Sequence, residues 1–236
     1  MRKGTVSGAL PTYSHCVDSA IMPDDSPSSV SPPSVGAPDP ELRSIDGLLA
    51  FALGSNVGDS RSTLAWAVGR LRSRYGPLRV APLYCTAPIS HIEQDPFFNT
   101  VVLGSRPLGS RPLDDDESDL ELRARRAVAF AKGLEHEAGR RRGPKDGPRP
   151  LDVDLLFWGV EAGRFGVLDR VEPGLWPGAV EIPHPRLTER RFVLAPLADL
   201  APELRLVVQD EPTSIAELLA AVADQAVERV SWEGGS

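Results

Sequence analysis

Leu151-Asp152-Val153-Asp154-Leu155-Leu156-Phe157 is an apolar run interrupted by two aspartates two positions apart. Successive side chains of a strand point to opposite faces, so Asp152 and Asp154 share one face. Val153, Leu155 and Phe157 share the other and are expected to face a core. At about 3.3 Å per residue, the two carboxylates are attached roughly 6–7 Å apart. An isolated Asp-x-Asp is most often an ordinary half-exposed strand. Two carboxylates on one rigid edge also suit magnesium, which takes few protein oxygens and shares its shell with phosphates. Two such ions can clamp an attacking and a leaving oxygen.

The chain leading into this strand favours the second meaning. From Arg123 to Arg149 there are nine basic residues against three acidic ones, in a protein of net charge -7. Gly139 to Arg149 is a loop punctuated by glycine and proline, and it feeds directly into the aspartates. Arginines fork onto phosphate oxygens, and beside carboxylates that hold magnesium they make a polyphosphate site. A solvated basic face or a nucleic-acid contact is the plainer alternative. The acidic balance of the whole chain disfavours the latter.

Further upstream, Leu120, Ala124, Ala127, Ala131, Leu134 and Ala138 step by four and three, predicting a helix over Ser118 to Ala138. Leu48 to Leu53 reads as a buried strand closed by Gly54. Asp59 or Ser60 then caps a helix whose inner face is Leu64, Ala67, Val68, Leu71 and Tyr75. Leu78 to Tyr84 and Phe97 to Leu103 read as two strands, and Arg106 to Glu117 as an acidic, Pro-bearing loop. Downstream, Leu204 to Val208 and Val227 to Trp232 are expected strands, with a helix over Ser214 to Asp224. The resulting class is α+β. Its β-α-β-β-α-β core is ferredoxin-like, an antiparallel sheet with helices on one face plus a C-terminal extension.

Residues 1–47, with seven prolines, nine serines and Tyr13 as the one aromatic, read as a disordered N-terminal tail ahead of a domain over 48–236. Hydrophobic residues are 41% and charged residues 25% of the 236, ordinary for a globular chain. No apolar run approaches the roughly 20 residues that span a bilayer. Cys16 and Cys85 sit in unlike contexts, so no disulfide is expected and a cytoplasmic location fits. There is no Gly-x-x-x-x-Gly-Lys-Ser/Thr motif. Gly54-Ser55-Asn56 lies between a strand and a helix, where a tight turn is the bland reading of a possible phosphate cradle. Pro183 and Pro185 fix the backbone on either side of His184, with Arg190 and Phe192 following.

Four segments taken together resemble the 6-hydroxymethyl-7,8-dihydropterin pyrophosphokinase family. They are Ala52 to Asp59, Tyr84 to Asn99, Glu135 to Trp158 and Ile182 to Leu197. Gly147-Pro148-Arg149-Pro150-Leu151-Asp152-Val153-Asp154-Leu155-Leu156 is the most specific of the matching stretches. The resemblance implies transfer of pyrophosphate from ATP to a pterin alcohol, a step of folate biosynthesis, by a monomeric enzyme with no membrane or nucleic-acid partner. It implies that Asp152 and Asp154 hold two Mg²⁺ ions, with Arg140 and Arg142 beside them in catalysis. Glu135, Lys145, Arg149, His184 and Arg190 join those arginines around the nucleotide. The pterin would meet Gly54, Ser55, Asn56, Thr86, Ala87 and Ile89, with Asn99 reading its edge and Phe97 and Phe192 stacking on its faces.

Three departures from the family pattern stand out. Lys145-Asp146 occupies the place of the usual Arg-Trp, Lys132 that of the usual Gln, and Glu93-Gln94-Asp95-Pro96 that of Asp-Gln-Pro. Lysine keeps the charge of arginine but not its fork, and aspartate removes an aromatic lid. These changes motivate an alternative expectation, a weakened family member that only binds nucleotide or pterin.

Overall fold

The computed structural model describes residues 31–233, apart from 41, 43, 45, 46, 89–91, 106–118, 142, 145, 171, 172 and 209. The expected acidic loop therefore lies outside the described residues, as do residues 1–30 of the expected tail. The elements run β1 (Leu48–Ser55), α1 (Ser60–Tyr75), β2 (Leu78–Val80), β3 (Leu83–Thr86), β4 (Phe97–Ser105), α2 (Leu120–Glu137), β5 (Asp152–Trp158), β6 (Gly163–Phe165) and β7 (Val180–Ile182). They continue with a short 3-10 turn at Leu187–Glu189, α3 (Arg191–Leu200), β8 (Arg205–Val208), β9 (Glu211–Ser214), α4 (Ile215–Ala221) and β10 (Glu228–Val230).

The main sheet has the order β10-β3-β4-β1-β5, with β2 also on β4, and every pairing is antiparallel. β1 is central because it is apolar on both sides. Leu49, Phe51 and Leu53 pack with Leu64, Val68 and Leu71 of α1 and with Ala127, Ala131 and Leu134 of α2. Leu48 and Ala50 face the opposite layer, built on Val193, Leu194 and Leu197 of α3 and Ile215 and Leu218 of α4. The sheet is thus covered on both faces, not one. The missed layer is α3, where Pro196 sits inside ten helical residues. Buried neighbours on both sides override the poor helix propensity of proline there.

The alternation expected along β5 holds only as far as Leu155. Phe51 pairs with Leu155 and Ala50 with Phe157, so Leu156 is an extra residue and the register shifts. A bulge of this kind moves the following side chains to the other face. Val153 and Leu155 join the α1/α2 core, whereas Phe157 joins the α3/α4 core.

Two further expectations are corrected. The segment taken as the end of a disordered tail bonds to the domain before residue 47. Gly36 N donates to Val80 O and Asp39 N to Leu200 O, both at 2.8 Å, and Leu42 packs on the α3/α4 core. A proline-rich segment with few apolar side chains is still held when its amides meet carbonyls at the ends of β2 and α3. Cys85, buried in β3, is disulfide-bonded, and the chain's other cysteine, Cys16, lies outside the described residues.

Arg125 of α2 is 2% exposed. Its guanidinium donates to Gly166 O (2.6 Å), Gly178 O (2.8 Å) and Trp176 O (3.1 Å), and it meets Glu121 at 2.8 Å. It holds the chain between β6 and β7 against α2. Arg125→Met would strand three carbonyls. We expect it to lower unfolding stability by about 2–3 kcal/mol, read from the urea midpoint at unchanged m-value.

Candidate active site

β5 is an edge strand, so the outward N–H of Val153 has no strand partner. It donates instead to Glu135 Oε1 of α2 at 2.9 Å, which locks the helix to the strand beside the aspartates. Glu135 is buried. Burial pushes its carboxyl above the ordinary range, against the pull of Lys132 and the Val153 amide. α2 ends two residues later, and Arg140 N donates to Glu135 O at 2.9 Å. That turn brings the Arg140 guanidinium to 2.6 Å from Asp152 Oδ1 and 2.8 Å from Glu135 Oε2.

Other cations close around the pair. Arg149 Nη1 is 3.2 Å from Asp152 Oδ2, and Lys132 Nζ is 2.7 Å from Glu135 Oε1 and 3.8 Å from Asp154 Oδ1. Arg190 Nη1 is 3.8 Å and His184 Nε2 3.9 Å from Asp154 Oδ2. Burial acts to raise the Asp152 carboxyl, but Arg149, Arg140 and Lys132 together hold it below its ordinary range. Asp152 is therefore an ionised, acceptor-only group at neutral pH. His184 Nδ1 accepts from Arg186 N at 3.2 Å, which leaves Nε2 as the N–H that faces Asp154. Burial, with Arg190 and Arg186 nearby, keeps this imidazole below its usual pKa despite Asp154. The buried Nε atoms of Arg149 and Arg190 have no hydrogen-bond partner among the described residues.

A cavity of about 360 Å³ opens beside this cluster. Asp152, Asp154, Arg140, Arg149, His184 and Arg190 are its charged lining. Gly54, Thr86, Ala87, Phe97, Asn99 and Phe192 line it as well. Asn99 Nδ2 donates to Thr86 Oγ1 at 2.9 Å. A Cβ on Gly54 would lie 3.0 Å from Asn99 Oδ1, so the absent side chain is what lets this amide sit across the sheet. The guanidinium carbon of Arg149 lies 5.2 Å from the Phe97 ring centre, and that of Arg190 lies 5.5 Å from Phe192. Each aromatic wall is thereby fixed by a cation of the charged side.

Several expected residues serve elsewhere. Ser55 is buried and donates to Ser60 Oγ at 2.8 Å, away from the cavity. Asn56 ties three loops together: its Nδ2 donates to Gln94 Oε1 and Asp95 O, and its Oδ1 accepts from Arg149 N. Neither lines the cavity, and both shape the turn beneath it. Arg142, Lys145 and Ile89 lie outside the described residues. Asp146 does line the cavity, with φ at 56°, and its carbonyl accepts from Gln94 Nε2 at 2.9 Å. Aspartate tolerates that left-handed conformation better than a bulky residue does. The loop is thus shaped around Asp146 and not around the expected tryptophan.

A second cavity, of about 610 Å³, meets the first at Lys132, Asp154 and His184. Its walls are Val128 of α2, Val153 and Leu155 of β5, and Phe165, Trp176 and Val180 on and between β6 and β7. Sequence reasoning missed this compartment and the role of Lys132 at the junction. The sequence marks Lys132 only as a departure from the family's usual Gln, and its i, i+3 spacing from Glu135 is a second signal.

The aspartate pair also fits magnesium. It supplies hard carboxylate oxygens from one strand, with cations nearby that can receive phosphates.

The model of the family described as 7,8-dihydro-6-hydroxymethylpterin-pyrophosphokinase (HPPK) matches residues 50–202. The chain is 33% identical over 182 residues to the 2-amino-4-hydroxy-6-hydroxymethyldihydropteridine pyrophosphokinase of Pseudomonas aeruginosa, spanning 76% of this chain and 94% of that one. It is 35% identical over 162 residues to the mitochondrial folate synthesis bifunctional protein of Arabidopsis thaliana, spanning 68% of this chain and 24% of that one. The chain thus spans about a quarter of the plant relative's length and nearly all of the bacterial one's. The crystal structure of Plasmodium falciparum HPPK-DHPS superposes with a TM-score of 0.51 at 14% identity, over 75% of this chain and 41% of that one, a likeness of fold. The chain belongs to the 7,8-dihydro-6-hydroxymethylpterin-pyrophosphokinase family.

Proposed function

We propose that this protein transfers the β,γ-pyrophosphate of Mg-ATP to 6-hydroxymethyl-7,8-dihydropterin, giving the pterin diphosphate and AMP on the path to folate. The observation that carries this reading is the first cavity, which Phe97 and Phe192 line together with a carboxylate pair surrounded by cations. The strand order β5-β1-β4-β3 supports a ferredoxin-like core beneath it.

In this reading the flat pterin lies between Phe97 and Phe192, with Asn99 reading its polar edge. Its hydroxymethyl oxygen then points toward Asp152 and Asp154. These two residues would hold two magnesium ions, whose chemistry is to draw charge off the phosphate oxygens. Arg140, Arg149 and Arg190, which line the cavity beside the aspartates, receive the triphosphate. His184 contributes a neutral N–H. The triphosphate crosses the junction at Lys132, and the nucleoside extends into the second cavity. The pterin oxygen bonds to the β-phosphorus as the bond from that phosphorus to the α-phosphate oxygen breaks. The protein contributes alignment and preorganised charge, not a covalent intermediate.

The test is AMP release from ATP, Mg²⁺ and the pterin alcohol, with the pterin diphosphate detected alongside. We expect Asp152→Ala and Asp154→Ala each to lower kcat at least about a hundredfold, the scale for removing preorganised charge stabilisation. Turnover that survives both substitutions would sink the proposal. Asn99→Ala is expected to raise the pterin KM about tenfold while leaving the ATP KM near its original value, because it removes a buried hydrogen-bonding edge. Equal rises in both KM values would place Asn99 in the fold instead of the pterin slot.

A further inference from the structure

The chain between β6 and β7 forms a wall of the second cavity, and that wall is unusually well fixed. Arg125 reaches it from α2 with three hydrogen bonds to the carbonyls of residues 166, 176 and 178. The Arg125 carbonyl in turn accepts from Trp176 N at 3.2 Å. Both backbone groups of Trp176 are thus held by one buried residue. The indole lies against Gly178, where a Cβ would come within 2.6 Å of its Nε1. A residue held on both sides in this way presents its ring in one orientation.

Trp176 lines a cavity together with Phe165 and the aliphatic side chains of Val128, Val153, Leu155 and Val180. Lys132, Asp154 and His184 are shared with the first cavity, and Arg164 and Glu181, paired with each other at 2.7 Å, also line the second. A cavity with aromatic and aliphatic walls that adjoins a cation-rich one matches a molecule with a flat heteroaromatic head and an anionic tail. The Asn99 slot is already matched to the pterin, which leaves the nucleotide's base.

We infer that Trp176 is a binding residue for the nucleotide co-substrate, its indole forming one wall against which the nucleoside base lies. The inference rests on the functional reading above, and it adds a contact from the β6–β7 segment.

Equilibrium binding of α,β-methylene-ATP with Mg²⁺, and separately of the pterin alcohol, tests it in the wild type, Trp176→Ala and Trp176→Phe. Base stacking on an aromatic residue leads us to expect a loss of nucleotide affinity of about 5- to 100-fold in Trp176→Ala. Trp176→Phe keeps a ring and should stay within about threefold. Pterin affinity should be unchanged in both. The wild type should also change its tryptophan emission on nucleotide addition, and Trp176→Phe should abolish that change. This readout remains if the alanine variant does not fold. Undiminished nucleotide affinity in Trp176→Ala overturns the inference and leaves the functional reading standing. So does a parallel loss of pterin affinity, or an emission change that persists in Trp176→Phe. A wild type that binds no nucleotide overturns both.

Discussion

A single hydrogen bond fixes the geometry on which the site depends, that from the Val153 amide to the buried Glu135 carboxylate. An edge strand ordinarily leaves its outward amides to solvent or to another chain. Here one of them is satisfied by a helix side chain, so α2 and β5 cannot slide past each other without stranding a buried acceptor. Because Glu135 lies two residues before the end of α2, the lock also sets where the helix releases the chain. Arg140 then has little choice but to return over Asp152. The basic loop, the aspartates and the helix are positioned by one contact.

The cluster that results is a preformed balance of charge. Asp152 and Asp154 are near Arg140, Arg149, Arg190 and Lys132, and Glu135 is bonded to two of those cations. Asp152 so surrounded is held below its ordinary range and stays ionised. The cluster is therefore already assembled in the protein alone. The two aromatic walls share in this order, since the arginines beside them belong to the same cluster.

Much of this was legible in the sequence. Period-two alternation put Asp152 and Asp154 on one face, and period-3.6 spacing gave the inner faces of α1 and α2 with Asp59 as the cap. The four motif segments converge on one cavity, although Ser55 and Asn56 turned out to be spent on its framework. What stayed hidden has identifiable causes. Whether Leu156 is a bulge depends on β1 opposite it, which no local pattern records. α3 carries a proline and is helical because of its neighbours. Arg125 reads as a surface charge on a helix until the carbonyls it serves, 41 to 53 residues away, are brought to it by the fold.

The bulge at Leu156 has a wider consequence. It makes β5 two half-strands of opposite phase joined end to end, one carrying the ionic chemistry and the other anchoring the α3/α4 layer. Sequence drift in the anchoring half is read against a different set of neighbours from drift in the chemical half. The carboxylate-bearing residues and the packing residues of a single seven-residue strand can therefore change at independent rates. A one-residue insertion or deletion is tolerated least at the point where the two phases meet.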